Sequence, residues 1–252
     1  MKALTLTLKS WILSDFIGNG IRFVLRNKIQ FHNGYLNVSS MSIRGKIVAL
    51  LFFSKYEKEE IQLIQSHMRP DLPIIDLGAS IGAVSMNAAQ LSTQNIICVE
   101  ANPALIDVIQ LNLLENQIGP DRFEILNCAV VGEKEDGETV HFETRGSNEL
   151  GKLTDCKTNS SIDVKGSSLG KLVKSRKLDE FILISDIEGA EAAFLFHDDN
   201  CLDKCDQLFI ELHSVIWNGR KLEIQDFVNR ILSLGFSLVE QVKANFYFKK
   251  DV

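Results

Sequence analysis

The chain has 252 residues, of which 45% are hydrophobic and 24% are charged. This length and composition are typical of a soluble globular protein with one large domain, or one domain with an appendage, and enough apolar side chains for a full core. The formal net charge of -6 disfavours general binding to nucleic acid, so no nucleic-acid partner is expected.

Residues 1–55 differ in charge from the rest of the chain, because Asp15 is their only acidic residue. We expect them to form an N-terminal extension, a helix and strands, that packs on a core domain spanning residues 56–252. Apolar residues recur at helical spacing from Trp11 to Leu25, and this stripe could pack on the core, form a homodimer or contact a membrane surface peripherally. Residues 35–53 are predicted to form one or two strands. The basic residues of the extension are Lys2, Lys9, Arg22, Arg26, Lys28, Arg44, Lys46 and Lys55.

From residue 56 onward, short apolar segments alternate with helical patterns of 10–15 residues, which predicts an α/β fold with a mostly parallel sheet covered on both faces. The last two strands are too close in sequence to be parallel, so the sheet should end in an antiparallel hairpin. Residues 132–170 interrupt this alternation of strands and helices and are predicted to be an insertion, with an edge strand at 138–144 and a short helix at 167–176. The other predicted strands are 72–78, 95–100, 123–131, 181–187, 205–213, 236–243 and 245–250, and the predicted helices are 56–68, 82–91, 103–116, from 189, and 222–234.

The cysteines and the apolar runs indicate a cellular location. There are five cysteines without a C-x-x-C pair, and Cys98 and Cys128 lie inside apolar segments, which is typical of buried thiols in a reducing compartment. The longest apolar run, residues 47–53, is far shorter than the ~20 residues of a membrane-spanning helix, and no signal peptide is expected. We therefore predict a cytoplasmic protein.

The loop after the first core strand, in the sequence IIDLGASIG at 74–82, carries Asp76, Gly78 and Gly82. In doubly wound sheets such a loop lies at the ligand-binding edge. Glu100 ends the next strand, where an acidic residue can bind both ribose hydroxyls of a nucleotide. The pattern D-x-G-x-x-x-G lacks the glycines of a dinucleotide site, and a carboxylate repels a pyrophosphate. A cationic nucleoside, S-adenosylmethionine (SAM), is therefore favoured over NAD(P).

Acidic residues also follow the fourth and fifth core strands. Asp186 ends the fourth strand, and Glu188 lies three residues before Glu191, so these two glutamates should share a face at the start of a helix. Glu211 and His213, two residues apart, should point the same way from the fifth strand. Asp186, His213 and Glu188 are thus the candidate catalytic residues, with Asp186 and His213 as possible general bases for removing a hydroxyl proton. We expect no metal, although Asp186, Glu211 and His213 are an alternative set of Mg²⁺ or Mn²⁺ ligands.

The segments YEKEEIQLI, IIDLGASIGAVSMNAA, VEANPALIDVIQLNLLEN, ISDIEGAE and FIELH together resemble the FkbM family of SAM-dependent methyltransferases. The resemblance covers residues 56 to the C-terminus. It implies a Rossmann-like class I methyltransferase fold with seven strands and methyl transfer to a hydroxyl of a sugar or secondary metabolite. One departure is Ser185, where the family often has lysine. The implied cofactor-binding residues are Asp76, Gly78, Ala79 and Gly82 in the loop, Glu100, Ala101 and Asn102 at the ribose and adenosine, Asn127, Cys128 and Ala129 near the adenine edge, and Asp186.

The sequence therefore predicts a SAM-dependent O-methyltransferase acting on a small-molecule or glycan acceptor. The N/D-P-P-Y motif of methyltransferases that act on nucleic-acid amino groups is absent from the sequence. Two alternatives stay open: an NAD(P)-dependent oxidoreductase, and a non-catalytic SAM-binding scaffold protein.

Overall fold

The structure is a computed structural model, and it describes residues 12–144, 151–154, 157–158, 161–198, 200–217 and 219–251. Its main sheet has seven strands in the spatial order β5-β4-β3-β10-β11-β15-β14. β15 runs antiparallel to β11 and β14, and the other neighbouring strands are paired in parallel. The strands are β3 (Ile74–Leu77), β4 (Ile96–Glu100), β5 (Phe123–Asn127), β10 (Phe181–Ser185), β11 (Cys205–Glu211), β14 (Phe236–Val242) and β15 (Asn245–Lys250).

This order confirms the predicted Rossmann-like α/β fold, a mostly parallel sheet of seven strands that ends in an antiparallel hairpin. The chain proceeds outward from β3 to β5 and then returns to β10 on the other side of β3. The strand order therefore reverses between β3 and β10, and ligands of such sheets bind at this point, beyond the carboxyl ends of the strands.

Helices flank the sheet, and two hydrophobic clusters fill its two faces. Alternate residues of one strand belong to different clusters: Ile74 contributes to one and Ile75 to the other, as do Ile182 and Leu183. Burial of both faces explains why these strands are nearly continuous apolar runs. The helices are α1 (Asp15–Val24), α2 (Gly45–Phe52), α3 (Lys58–His67), α4 (Ala83–Leu91), α5 (Pro103–Glu115), α6 (Leu169–Ser175), α7 (Glu191–His197) and α8 (Ile224–Ser233).

The N-terminal segment differs from its prediction. One or two strands were expected in 35–53, but the one strand there is β2 (Gly34–Asn37), which pairs with β1 (Lys28–Phe31). Irregular chain follows at 38–44, and α2 occupies 45–52. A short run that is apolar all round cannot be assigned to strand or helix by its periodicity. The segment packs on the core domain: the Asn37 backbone N–H donates to Asn112 Oδ1 at 2.7 Å, and Asn112 Nδ2 donates to the Ile81 carbonyl at 2.8 Å.

The insertion forms a second sheet, with the order β6-β9-β7-β8. The predicted single strand at 123–131 is wrong, because the chain turns at Cys128 and leaves the main sheet. The strand predicted at 138–144 is not an edge strand either, since β7 lies between β9 and β8. Parts of the insertion lie outside the described residues. The strands here are β6 (Ala129–Val130), β7 (Thr139–Thr144), β8 (Gly151–Thr154) and β9 (Ser161–Ser167), and a further hairpin pairs β12 (Val215–Trp217) with β13 (Arg220–Leu222).

The expectation of buried thiols is met by Cys98, Cys201 and Cys205, whereas Cys128 is half-buried. Cys156 lies outside the described residues. Within the ranges that the structure describes, no helix has the length and apolarity needed to cross a bilayer.

Candidate functional site

A cavity of about 440 Å³ opens at the carboxyl ends of β3, β10 and β11, next to the point where the strand order reverses. The N-terminal segment and α3 form its opposite wall. Acidic side chains outnumber basic ones in the lining, and the basic ones are exposed to solvent. The acidic lining residues are Glu57, Glu59, Glu60, Asp76, Asp186, Glu188 and Glu211, and the basic ones are Arg44, Lys46, Lys55 and Lys243.

Asp76, in the third position of β3, lines the cavity and is 2% exposed. The Ser85 hydroxyl, on the first turns of α4, donates a hydrogen bond to one of its carboxylate oxygens. Burial raises the pKa of Asp76 to about 6, and the hydrogen bond from Ser85 lowers it in part. At neutral pH this carboxylate is therefore charged, and it is screened from water.

The loop after β3 brings the backbone close to Asp186. Gly78 has a φ of 88°, and a Cβ atom at this position would overlap the Asp186 carbonyl oxygen. The N–H groups of Gly78 and Ala79 both donate to the Val99 carbonyl, at 2.9 and 3.0 Å. Only glycine can adopt this conformation at such a close approach without strain. Gly78 and Ala79, both predicted as cofactor-binding residues, thus line the cavity.

Glu57 and Glu60, at the start of α3, face the strand ends across the cavity. Burial and the charges of Glu211 and Glu188 raise the pKa of Glu57 to about 7. Glu60 is 3% exposed, and burial together with the charge of Glu57 raises its pKa well above the usual range. Sequence analysis placed 57–60 on an amphipathic helix and missed their role. The sequence signal at this place is three glutamates at the start of the helix.

Asp186 follows β10 directly and lines the cavity. Burial and the charges of Glu57 and Glu211 raise its pKa well above the usual range, and the charge of His213 lowers it in part. Glu188 also lines the cavity, but with a φ of 53° it belongs to the turn before α7. Since α7 begins at Glu191, the prediction that Glu188 and Glu191 share a helix face is wrong.

His213 lies among three carboxylates. Its Nδ1 is 3.4 Å from Glu191 Oε1, and its Nε2 is 3.7 Å from Glu211 Oε1 and 3.9 Å from Glu188 Oε2. Burial lowers the pKa of His213, but the hydrogen bond to Glu191 and the charges of Glu191, Asp186 and Glu188 outweigh it and raise the pKa to about 9. The imidazole is therefore a cation at neutral pH.

Several buried acceptor atoms around the cavity have no hydrogen-bond partner among the described residues. They include Glu60 Oε1, Asp186 Oδ1 and Asn245 Oδ1. Asn245, 6% exposed, also donates to Glu211 Oε2 at 3.1 Å through its amide nitrogen. Buried acceptors without partners are rare in proteins and costly. A ligand with hydrogen-bond donors or a positive charge would satisfy these acceptor atoms.

The remaining predicted cofactor residues lie outside the wall of this cavity. Gly82, with a φ of 77°, caps α4 and lies close to Ile109 of α5. Glu100 accepts hydrogen bonds from the Ser80 and Asn102 backbone N–H groups, at 2.8 and 2.6 Å, so its carboxylate holds the loop after β3 against the end of β4. Asn102 caps α5 by accepting from the Ala104 N–H.

Ala101 and Asn127 lie at the adjoining edge, where Asn127 Nδ2 donates to the carbonyls of Glu100 and Ala101 at 2.9 and 3.0 Å. Cys128 and Ala129 follow at the point where the chain leaves β5 for the small sheet. This group adjoins the cavity through the Ser80–Glu100 hydrogen bond. Their binding of ribose and adenine stays a prediction.

Among the residues that the structure describes, two groups of side chains could hold a metal ion, because the ligand atoms of each group lie within 4.8 Å of one another. One group is Glu57, Asp186 and Glu211, and the other is Asp186, Glu188 and His213. The set considered from the sequence, Asp186, Glu211 and His213, is divided between them. Oxygen-rich ligation of this kind suits Mg²⁺ or Mn²⁺.

The chain matches no family model and no curated protein, so membership of the FkbM family stays a prediction. A protein in the NADB-Rossmann superfamily from Streptococcus agalactiae is 10% identical, with a TM-score of 0.44, and the match covers 76% of this chain and 68% of that one. Precorrin-6y C5,15-methyltransferase from Geobacter metallireducens GS-15 is 14% identical, with a TM-score of 0.41 and coverages of 77% and 87%. Magnesium protoporphyrin IX methyltransferase from Synechocystis PCC 6803, with bound SAH, is 12% identical, with a TM-score of 0.40 and coverages of 76% and 80%. Similarity at these identities and TM-scores supports no conclusion about function, which is therefore argued from the site.

Proposed function

We propose that this chain is a SAM-dependent methyltransferase that methylates a hydroxyl group of a sugar, glycoconjugate or secondary metabolite. The observation that carries the proposal is the acid-lined cavity at the switch point of the sheet, in which the buried ionisable side chains, Asp76 and Glu60, are carboxylic acids. A ligand that binds there must bring positive charge or hydrogen-bond donors. The hydroxyl acceptor is the finer part of the proposal and follows from the FkbM resemblance.

The charges of the two cofactors decide between SAM and NAD(P) as the ligand of this site. SAM carries a sulfonium and an ammonium group and no phosphate, whereas NAD(P) would bring a pyrophosphate against Asp76. At roughly 4 Å two like charges repel by about 4 kcal/mol at an effective dielectric constant near 20. The orphaned oxygens of Asp186, Asn245 and Glu60 likewise fit a cationic cofactor better than an anionic one.

Bound SAM would supply a methyl group activated by its sulfonium centre. Asp76 and Glu57 would face the positive charges of the cofactor, and the backbone at Gly78 and Ala79 would lie against it. Asp186 is our candidate for accepting the hydroxyl proton, because it lines the cavity at the end of β10 and burial makes its carboxylate more basic than a solvated one. His213, being cationic, would instead position the neighbouring carboxylates of Glu188 and Glu211.

Titration calorimetry at pH 8 tests the cofactor assignment. We expect SAM and S-adenosylhomocysteine to bind with micromolar dissociation constants, and NAD and NADP to give no heat of binding. The control is Asp163→Asn, which changes an exposed carboxylate outside the cavity and should leave the dissociation constants unchanged. Binding of NAD without binding of SAM would instead identify an oxidoreductase.

A SAM-binding scaffold is the second alternative and has its own signature. In that case SAM would bind, but no S-adenosylhomocysteine would form with any acceptor in a panel of sugars, glycoconjugates and phenols. The Asp186→Asn and His213→Ala variants would then behave like the parent chain.

Cofactor affinity should depend on pH. The folded-state pKa values of Asp76 and Glu57 are raised to about 6 and about 7, so both groups take up protons as pH falls from 8 to 5. The sulfonium charge does not titrate, and we therefore expect the affinity for SAM to fall about tenfold or more over that range.

The stability of the ligand-free chain should show the opposite trend: raised carboxyl pKa values contribute stability that is present at low pH and lost as pH rises through 6 to 7. Calorimetry measures the affinity and thermal unfolding measures the stability, both at matched ionic strength. An affinity for SAM that does not change between pH 8 and pH 5 would contradict the assignment of Asp76 and Glu57.

A further inference from the structure

Helix α1 has two apolar faces, and among the residues that the structure describes only one of them is packed against other elements. On the inner face, Gly18 approaches the backbone of Gly45, and Ile21 and Leu25 pack against the hydrophobic core. The outer face carries Phe16, Phe23 and Val24, which are 78%, 86% and 74% exposed. Positions 16, 20, 23 and 24 fall on one side of a helix. Met41, 86% exposed, lies beside α1, since its sulfur is 3.9 Å from the Arg22 guanidinium.

We call Phe16, Phe23, Val24 and Met41 the docking face. Four large apolar side chains exposed this fully are unusual for an unpartnered surface and mark an interaction site. Each lies within the part of the chain that the structure describes, and each belongs to the N-terminal segment.

The N-terminal segment that carries the docking face is basic. Asp15 is the only acidic residue between 12 and 55, and it is paired with the Arg44 guanidinium at 2.5 Å. Arg26, Lys46 and Lys55 are exposed, and none of the ion pairs found between described residues involves them. The chain as a whole has a charge of -6, so its positive end is the N-terminal segment.

We propose that the docking face binds the surface of an anionic lipid bilayer, with α1 lying in the interface. An apolar helix face flanked by lysine and arginine is the pattern of helices that lie on membranes, and anionic headgroups attract such basic residues. A second copy of this chain fits less well, because a symmetric dimer through this face would bring the same basic residues against each other. This inference goes beyond methyl transfer and does not depend on it.

Docking would also bring the cavity close to the membrane surface. Helix α2 packs against α1, and Lys46, Ile47 and Leu50 of α2 line the cavity wall. Helix α2 therefore lies between α1 and the cavity. An acceptor held at the bilayer surface would have a short path to the site.

Vesicle sedimentation with the full chain tests this proposal in the absence of SAM. We expect the chain to sediment with phosphatidylcholine vesicles that contain phosphatidylglycerol, and to stay in solution with pure phosphatidylcholine. The double variant Phe16→Ser/Phe23→Ser should lose about tenfold or more in partition coefficient, because two exposed apolar side chains no longer enter the interface. Arg26→Glu, or raising the salt to about 0.5 M, should also weaken binding.

Ile216→Ser is the matched control. Ile216 is 74% exposed, like Val24, but it lies on β12 outside the N-terminal segment, so its removal should leave sedimentation unchanged. Thermal unfolding of each variant checks that the fold is intact. Three results would overturn the proposal: no sedimentation with anionic vesicles, equal sedimentation of the double variant, or a dimer in analytical ultracentrifugation that the double variant dissociates.

Because this assay contains no cofactor, its failure leaves the proposed methyltransferase function untouched. Equally, vesicle binding by a chain that fails to bind SAM would support the docking face and reject the proposed function.

Discussion

Replacing Gly78 by alanine should unfold or severely destabilise the protein. Two effects combine at this position: a φ of 88° strains any residue with a Cβ atom, and that Cβ would overlap the Asp186 carbonyl oxygen. The strain alone amounts to about 1–3 kcal/mol. The overlap is with backbone, which cannot rotate away as a side chain could, so we expect a total loss above about 4 kcal/mol in the free energy of unfolding.

The chain provides a control that separates the two effects. Gly137 has nearly the same conformation, with a φ of 83°, but a Cβ there would meet nothing within 4 Å. Gly137→Ala should therefore show the strain alone, about 1–2 kcal/mol. Urea unfolding followed by circular dichroism measures both variants. Equal losses for Gly78→Ala and Gly137→Ala would show that the loop after β3 does not press against Asp186.

Any Gly78→Ala protein that does fold should also bind SAM poorly. Relief of the overlap would move the loop, Asp186 or both, and these two elements form the floor of the cavity. Calorimetry on the folded fraction gives this second measurement, and Gly137→Ala should retain the affinity of the parent chain.

Asp186→Asn should separate activity from stability. If Asp186 accepts the hydroxyl proton, its loss should lower kcat by about 10²–10⁴-fold. The same substitution removes one of several like charges that are crowded together with Glu57 and Glu211. Near pH 8, the free energy of unfolding of the ligand-free variant should therefore be equal to or higher than that of the parent chain.

Asp198→Asn is the matched control for Asp186→Asn. Asp198 is also a buried aspartate, 6% exposed, and burial raises its pKa. It lies away from the cavity, where its carboxylate accepts from the Gly170 N–H at 2.7 Å. Rates of S-adenosylhomocysteine formation and urea unfolding should be measured for both variants. If Asp186→Asn leaves kcat within a few-fold of the parent value, Asp186 is not the proton acceptor.

The alternation of strands and helices in the core domain could be predicted because local hydrophobic periodicity reflects which residues become buried. The strands at 74–77, 96–100 and 181–185 are buried throughout and, apart from one polar residue near the end of each, apolar, since both of their faces are covered. The same reasoning was wrong for 45–52 and for 123–131. A short apolar run carries no period, and the departure of the chain at Cys128 depends on pairing with β9, a strand more than 30 residues away.

The residues of the site also fall into those that the sequence could place and those that it could not. Asp76, Gly78, Asp186 and Glu211 could be placed at one edge because the carboxyl ends of parallel strands meet there, and the structure brings all four to one cavity. Glu57, Glu60 and Asn245 could not be placed, since no local pattern shows that α3 lies across that cavity or that the start of β15 pairs with the end of β11.

Chain order, charge and strand periodicity were therefore enough for the type of sheet and for one wall of the site, because these properties depend on neighbours in the sequence. The opposite wall depends on packing between distant segments, as does the cationic state of His213. Burial and the distances between charges set pKa values, and both quantities exist only once the chain has folded.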